Sequence, residues 1–213
     1  MRNRLIVDFL LLGNLFYLMA YPFTAKPMHK LAGVIFFVLL IIHHVINVRW
    51  AKGLSRGRWT RKRIMETFVN GALAVVALLL FYSSLYFLVK RYHLPLPIPG
   101  TRELSKAIHM CTAYGGFLLM SIHVGLHGDY FISLFRKWIS QSPKALSLVN
   151  GLLWLLAGYG LYAFYAQHFT DYLFLRTHFV DADRNAPVIF FLFDYLAVMV
   201  MAAKLAWMGR KVS

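Results

Sequence analysis

The chain alternates long apolar runs with short basic segments. Six runs are each close to the roughly 20 residues that an α-helix needs to cross the hydrocarbon core of a bilayer. Backbone polar groups in lipid must be paired internally, so the pattern predicts an all-α integral membrane protein with six transmembrane helices. In chain order the predicted spans are Leu5–Tyr21, Met28–Val48, Glu66–Val89, Ser105–Gly128, Ala145–Ala166 and Pro187–Trp207.

The composition agrees with this prediction. Of the 213 residues, 60% are apolar, against roughly 45–50% in soluble domains. The chain shows no internal repeat, linker or low-complexity segment, so we expect residues 1–213 to form a single transmembrane domain. The first 23 residues resemble a signal peptide in their basic start and apolar run. No small-x-small cleavage site follows Tyr21, which favours a first transmembrane helix.

The basic residues predict the orientation in the membrane. The formal net charge is +15, and Lys and Arg gather at the ends of the apolar runs. This placement is typical of topology signals and not of a nucleic-acid-binding surface. With the basic segment Arg49–Arg63 and both termini in the cytoplasm, fifteen basic residues lie inside and eight outside. The positive-inside rule therefore predicts a multi-pass protein of the cytoplasmic membrane with both termini cytoplasmic.

Two of the predicted helices carry histidines at the same interval. His29 and His43 are fourteen residues apart in the second helix, and His109 and His123 are fourteen apart in the fourth. Fourteen residues bring two side chains to within about 40° of one helix face and about 21 Å apart along the axis. The predicted topology makes these two helices parallel, so we expect His29 level with His109 and His43 level with His123.

Histidine is costly inside a membrane and is therefore a candidate functional residue. Any one of these residues could instead form an interhelical hydrogen bond or lie at the interface. The matched set indicates two haem b groups, each with its iron between two axial imidazoles. We expect His29 and His109 to bind the outer haem, and His43 and His123 the inner one. The expected fold is a four-helix haem-binding bundle, from the second to fifth helices or a neighbouring set, with peripheral helices.

Other histidines are alternatives for the inner ligands. His44 is rotated about 100° from His43, and His127 lies one turn beyond His123. The chain lacks a CxxCH motif, so both haems would be non-covalent. His93, His168 and His178 are predicted in solvated outer segments.

A histidine-based metal carrier is a rival interpretation. His123 and His127 have the i, i+4 spacing found on zinc and di-iron helices. Such sites also need carboxylate partners, which are scarce in the predicted spans. Those present are Asp8, Asp194 and the edge residues Glu66 and Asp129.

Small and basic residues near the histidines are suited to a porphyrin. Glycines would let the ring approach a helix backbone, although they also serve ordinary helix packing in membranes. Basic residues could pair with the propionates, although they also serve as topology signals. The glycines are Gly33, Gly115 and Gly116, and the basic residues are Lys26, Lys30 and Lys106 outside with Arg49 and Lys52 inside.

At these residues the chain resembles the flavinylation-associated cytochromes, which are small dihaem b-type membrane cytochromes of bacteria. The similar segments are HHVINVRW from His43, SIHVGLH ending at His127, the outer stretch DYLFLRTHF, and FDYLAV in the last helix. The resemblance implies electron transfer across the bacterial cytoplasmic membrane to extracytoplasmic proteins that carry covalent FMN. Carried over by position, it assigns haem binding to His29, His43, His109 and His123.

We therefore expect an electron-transfer component of an oxidoreductase system, with no catalytic residue assigned. Its donor would be quinol or a cytoplasmic-side reductant, and its partners would be membrane lipid and a flavoprotein or another redox protein. The alternatives are a cytochrome b subunit of a quinone-linked complex and the metal carrier. The outer loop Gln167–Ala186 is long and rich in aromatic and charged residues, so we expect it to dock a partner or gate the outer haem, or simply to cap the helix ends.

Overall fold

The computed structural model describes residues 2–54, 58–129, 142–177 and 179–210, and it has no strand in these ranges. The predicted all-α class is confirmed. Arg56, Arg136, Lys137, Lys211 and His178 lie outside the described residues. The helices are α1 (Arg2–Met19), a 3₁₀ turn (Tyr21–Phe23), α2 (Lys26–Ile46), α3 (Val48–Gly53), α4 (Arg61–Tyr92), α5 (Arg102–Leu126), α6 (Pro143–Ala166), α7 (Phe169–Leu173) and α8 (Val188–Gly209).

Within the part of the chain that the structure describes, five helices, namely α2, α4, α5, α6 and α8, are long and apolar enough to cross a membrane. They correspond to the second to sixth predicted spans and indicate a multi-pass membrane protein. The first predicted span forms α1, an 18-residue helix that contains Arg2, Arg4 and Asp8. Three charges in so short a helix weaken its apolar character, and its crossing of the membrane stays a prediction.

Threonine caps and a left-handed residue define the ends of the two longest helices. Thr60 begins α4 and Thr101 begins α5, and each hydroxyl accepts a backbone N–H three residues on, at 3.3 Å and 3.2 Å. Helix α4 ends at His93, which has a φ of 50°. Its 32 residues extend about 48 Å, whereas the hydrocarbon core is roughly 30 Å thick. Helix α4 therefore continues beyond both ends of the predicted span, Glu66–Val89.

The helices pack as neighbouring pairs. Helix α1 lies along α2, α4 lies along α5, and α8 lies between α5 and α6. Two glycines permit the close contacts of α8, because a β-carbon at either would overlap a backbone carbonyl. Gly125 of α5 faces the carbonyl of Ala203, and Gly160 of α6 faces that of Ala197.

An aromatic core joins α5, α8 and the short helix α7. Its five most buried rings are Tyr114, Phe117, Phe169, Tyr172 and Tyr195. The Tyr195 hydroxyl donates to the Tyr114 hydroxyl at 3.1 Å, so these buried polar groups are paired. The predicted outer loop is therefore partly helical, because its apolar residues at positions 169, 172 and 173 form one buried helical face.

Candidate functional site

A cavity of about 2060 Å³ separates the α1–α2 pair from the α4–α5 pair. Its walls are mostly apolar, and it is about twice the upper end of the roughly 300–1,000 Å³ typical of a site for one small ligand. The cavity therefore has room for two large ligands. The helices around it correspond to the first four predicted spans, and no residue of α6 is among the described residues that line it. The sequence predicted a bundle of the second to fifth helices or of a neighbouring set. The four helices around the cavity are a neighbouring set, which includes the first helix and not the fifth.

Six histidines of α2 and α5 line this cavity. We name its two ends by their histidines: the His29 end contains His29 and His109, and the His43 end contains His43 and His123. The remaining two, His44 and His127, also belong to the His43 end by their positions beside these residues.

At the His29 end, two imidazoles face each other across the cavity. The ring centroids of His29 and His109 are 6.3 Å apart, with an interplanar angle of 69°. A metal–imidazole nitrogen bond is about 2 Å long. Two such bonds, with about 1 Å from each nitrogen to its ring centre, separate the centroids of two axial imidazoles by about 6 Å. The observed separation therefore fits one metal ion between the two rings.

The ring orientation of His109 is fixed by α4. Its Nδ1 lies 3.3 Å from the hydroxyl of Ser83, which is fully buried. That hydroxyl donates to the carbonyl of Leu80 at 2.9 Å, so its oxygen accepts from Nδ1. This leaves Nε2 as the nitrogen available to a metal. His29 differs, because its Nδ1 is buried and has no hydrogen-bond partner within the described residues.

At the His43 end, both Nδ1 atoms have close partners. The Nδ1 of His43 lies 2.8 Å from a carboxylate oxygen of Asp8 on α1. The Nδ1 of His123 lies 2.8 Å from the amide oxygen of Asn70 on α4. Each oxygen accepts from an Nδ1–H group, so Nε2 is again the free ligand nitrogen. A carboxylate or carbonyl behind a histidine is the usual arrangement around metal-binding imidazoles.

The rings of the His43 end are not in mutual contact across the cavity. His43 instead contacts His44, at a centroid distance of 5.7 Å, and His123 contacts His127 at 4.7 Å. The rings of His29 and His109 are therefore separated by the distance expected of two axial ligands. At the His43 end, the two predicted ligands, His43 and His123, lie on facing walls and their rings are not in contact.

The two alternative ligands have other partners. His44 is exposed, and its Nδ1 lies 2.8 Å from the carbonyl oxygen of Leu40 in its own helix. His127 lies at the end of α5, with Nδ1 4.0 Å from a carboxylate oxygen of Glu66. Glu66 belongs to α4, but its 4.0 Å separation from the Nδ1 of His127 is too long for a hydrogen bond, whereas Asp8 lies 2.8 Å from the Nδ1 of His43.

The two remaining histidines within the described residues lie at helix ends. His93 follows α4, and His168 precedes α7 with a φ of 54° and its Nδ1 3.2 Å from Asp171. Both are outside the cavity lining. Their placement agrees with the predicted solvated outer segments.

The glycines and basic residues divide between the cavity and other surfaces. Gly33 lines the cavity with open space beside it, and Gly116 lines it opposite Val76. Gly115 faces Leu173 of α7 instead. The basic residues Lys26, Lys30 and Lys106 line the His29 end, whereas Arg49 and Lys52 are not in the lining.

The outer loop closes the His29 end. Phe179, Val180 and Arg184 line the cavity there, and the backbone N–H of Asp181 donates to the Tyr172 hydroxyl at 2.9 Å. Burial, more than the nearby carboxylates, raises the pKa of Tyr172. The hydroxyl therefore stays protonated at neutral pH and holds the loop against the aromatic core.

The described residues contain no group of three or more His, Cys, Asp or Glu side chains arranged to hold a metal ion. A haem does not require such a group, because the porphyrin supplies four nitrogen ligands and the protein adds two axial ones. The donor set, the cavity volume and the spacing at the His29 end together fit a haem.

Asp8, Asn70 and Ser83 are the partners of histidine Nδ1 atoms. Sequence reasoning did not consider Asn70 and Ser83, and it considered Asp8 only as a carboxylate for a metal site. Comparison with protein-family models, curated proteins and solved structures gave no match to this chain.

Proposed function

We propose that this protein is a dihaem b-type cytochrome of the flavinylation-associated kind, which transfers electrons across the bacterial cytoplasmic membrane. The observation that carries the proposal is the 6.3 Å separation of the His29 and His109 rings across a cavity large enough for two ligands. Haem iron held between two imidazoles exchanges single electrons and has no open position for a substrate.

The chain's own residues would perform three tasks. His29 with His109, and His43 with His123, would hold the two groups at two levels. Hydrogen bonds at Nδ1 would orient the ligand rings. The apolar walls would exclude water, since most residues that line the cavity are apolar.

The spacing along α4 agrees with two levels. Asn70 contacts His123 and Ser83 contacts His109, and these partners are thirteen residues apart. Thirteen residues span about 20 Å of helix, close to the roughly 21 Å between the histidines of α2 or α5. Helix α4 thus repeats the two-level arrangement in the opposite chain direction.

The proposed donor is quinol or a reductant on the cytoplasmic side, and the proposed acceptor is an extracytoplasmic protein that carries FMN. The His29 end suits the acceptor side, because the predicted topology places it outward and the outer loop borders it. A cytochrome b subunit of a quinone-linked complex would share the haem site and differ in its partners.

The test is an absorbance spectrum of the purified protein before and after reduction, with haem and metals quantified per chain. We expect a b-type spectrum and two haems per chain. A protein without haem that retains zinc or another metal would favour the histidine-based carrier. Co-purification of a flavinylated protein or of a catalytic subunit would distinguish the two cytochrome functions.

A further inference from the structure

The four proposed ligands differ in what their Nδ1 atoms contact, and the difference follows the two ends of the cavity. At the His43 end, His43 faces a carboxylate and His123 faces an amide oxygen, both at 2.8 Å. At the His29 end, His109 has a hydroxyl at 3.3 Å, and the Nδ1 of His29 has no partner within the described residues. The hydrogen bonds are therefore shorter at the His43 end.

The character of each acceptor strengthens this contrast. Asp8 is the one carboxylate among these partners, and a hydrogen bond to a charged acceptor is about twice as strong as one between neutral groups. Ser83 is a neutral acceptor, and its oxygen lies 3.3 Å from the Nδ1 of His109, against 2.8 Å for the Asp8 carboxylate and His43. A strong acceptor at Nδ1 makes the imidazole a more basic ligand, which stabilises the more positive, oxidised state of a metal.

The charges around the cavity act in the same direction. At the His43 end, the charged lining residues are Arg4 and Asp8, one of each sign. At the His29 end, six basic residues and one acidic residue line the cavity, and positive charge favours the reduced state of a metal. These residues are Lys26, Lys30, Arg91, Arg102, Lys106, Arg184 and Glu103.

Basic residues beyond the His43 end have a smaller effect. Lys62 is half exposed and pairs with Glu66 at 3.7 Å. Arg63 donates to the carbonyls of Gly53 and Leu54 at 2.7 Å and 2.9 Å. Exposed charges at either end, including five of the six basic residues of the His29 end, are screened by salt over about 8–10 Å. Asp8 is in direct contact with a ligand, so its contact carries most of the contrast between the two ends.

We propose that these contacts set a potential gradient along the cavity, in which Asp8 makes the haem at the His43 end the harder to reduce. The inference rests on the proposed function and adds the difference in potential that would drive transfer in the proposed direction. With haems bound, one electron would pass from the group held at the His43 end to the group held at the His29 end, with no bond made or broken. Asp8 acts through His43 and is a positioning residue for that ligand.

The test measures potentials and not activity. His109→Ala should leave a single haem at the His43 end, and His123→Ala a single haem at the His29 end, so that a redox titration assigns each potential. We expect the lower potential at the His43 end. Equal potentials, or the reverse order, would overturn the gradient while leaving the proposed function intact. Absence of haem from the wild-type protein would refute the proposed function itself.

The role of Asp8 is tested in the His109→Ala background. Asp8→Asn keeps the side-chain shape and removes the charge, so the ratio of reduced to oxidised haem at a fixed ambient potential should rise at least about tenfold, which is about 59 mV for one electron. Asp8→Glu should restore most of the original potential. Glu66→Gln removes a carboxylate at the same end without touching His43, and its effect should be much smaller.

A second variant, which adds a carboxylate, tests the same inference if Asp8→Asn fails to bind haem. Asn70→Asp places a carboxylate behind His123, so it should lower the potential of the haem at the His43 end. An unchanged or higher potential in Asn70→Asp, or an unchanged or lower one in Asp8→Asn, would overturn the inference.

Discussion

The imidazoles of His29 and His109 lie 6.3 Å apart although their helices, α2 and α5, have other main neighbours. Helix α2 packs along α1, and α5 packs along α4 and α8. The cavity separates the two helices, and the histidines approach each other across it. A group bound between these rings would therefore link two halves of the bundle, so its binding should contribute both function and stability.

The first prediction concerns haem content. His109→Ala should remove about one haem of two and spare the one at the His43 end, and His123→Ala should do the reverse. The remaining ligand of each pair would be left without its partner across the cavity. Pigment analysis of the purified variants measures the haem-to-chain ratio. Loss of both haems from either variant, in a protein that still folds, would show that the two sites are not independent.

His44→Ala and His127→Ala are the matched controls, and both should retain two haems. His44 is exposed and bonds within its own helix, and His127 lies beside Glu66. The assignment of the ligands at the His43 end would be wrong if His44→Ala lost a haem and His43→Ala did not.

A second prediction concerns stability. Because a bound group would join α2 to α5, haem should raise the melting temperature of the detergent-solubilised protein. A ligand present at 100 times its dissociation constant stabilises the folded state by about 2.7 kcal/mol. Thermal unfolding, followed with and without added haem, measures the change. His29→Ala should remove part of the increase, whereas equal melting temperatures with and without haem would argue against a site between these helices.

The helices, and the relative positions of the histidines along each helix, can be predicted from the sequence because both depend on local periodicity. Apolar runs predict spans, and a fourteen-residue interval places two residues on one helix face whatever surrounds them. The choice of neighbouring helices is different, since it depends on contacts between residues distant in the chain. The sequence left open whether the first helix belongs to the bundle, and in the structure α1 lines the cavity and supplies Asp8.

The hydrogen-bond partners show a signal that sequence reasoning left unused. Asn70 and Ser83 are two of the few polar residues in their predicted span, and their thirteen-residue interval gives nearly the same rise along the axis as that of the histidines, although not the same helix face. An antiparallel helix with such an interval can serve both levels at once. Asp8 was considered as a carboxylate ligand for a metal and not as a partner of His43. Nothing in the local sequence specifies that α1 and α2 bring residues 8 and 43 within 2.8 Å.

A third prediction concerns orientation. A reporter that is active only in the cytoplasm should be active when fused after Ser213, because the six predicted spans and the distribution of fifteen basic residues against eight predict that both termini lie inside. A second reporter that requires the periplasm should be inactive at the same position. Periplasmic activity would reverse the topology and exchange the donor and acceptor ends of the cavity.

A fourth prediction concerns the packing of α6 against α8. Gly160→Ala should destabilise the fold by about 1–3 kcal/mol, because the new β-carbon overlaps the Ala197 carbonyl and forces the helices apart. Gly158→Ala is the control on the same helix, since it has open space and should be neutral or stabilising by up to about 1 kcal/mol. Thermal or denaturant unfolding compares them. Equal stability of the two variants would contradict the close contact.

The last prediction concerns the outer loop Gln167–Ala186 at the His29 end. Phe179, Val180 and Arg184 already line the cavity there. In the predicted topology the loop would therefore lie between the site and an extracytoplasmic partner. Arg176 has a largely exposed side chain, 3.8 Å from Asp171. Asp181 holds the loop through its backbone N–H. Its carboxylate can therefore be removed without breaking the bond to Tyr172.

Replacing Arg176 and Asp181 together by Ala should slow electron delivery to the acceptor and leave the haem spectrum unchanged. The substitutions remove two charges from the proposed docking surface while preserving the backbone contact that fixes the loop. Stopped-flow oxidation of the reduced protein by an FMN-carrying acceptor measures the rate. A small neutral oxidant provides the control and should react equally with both proteins. Unchanged rates with the protein acceptor would mean that the loop caps the helix ends and has no part in docking, because charge removal at a docking surface lowers the association rate.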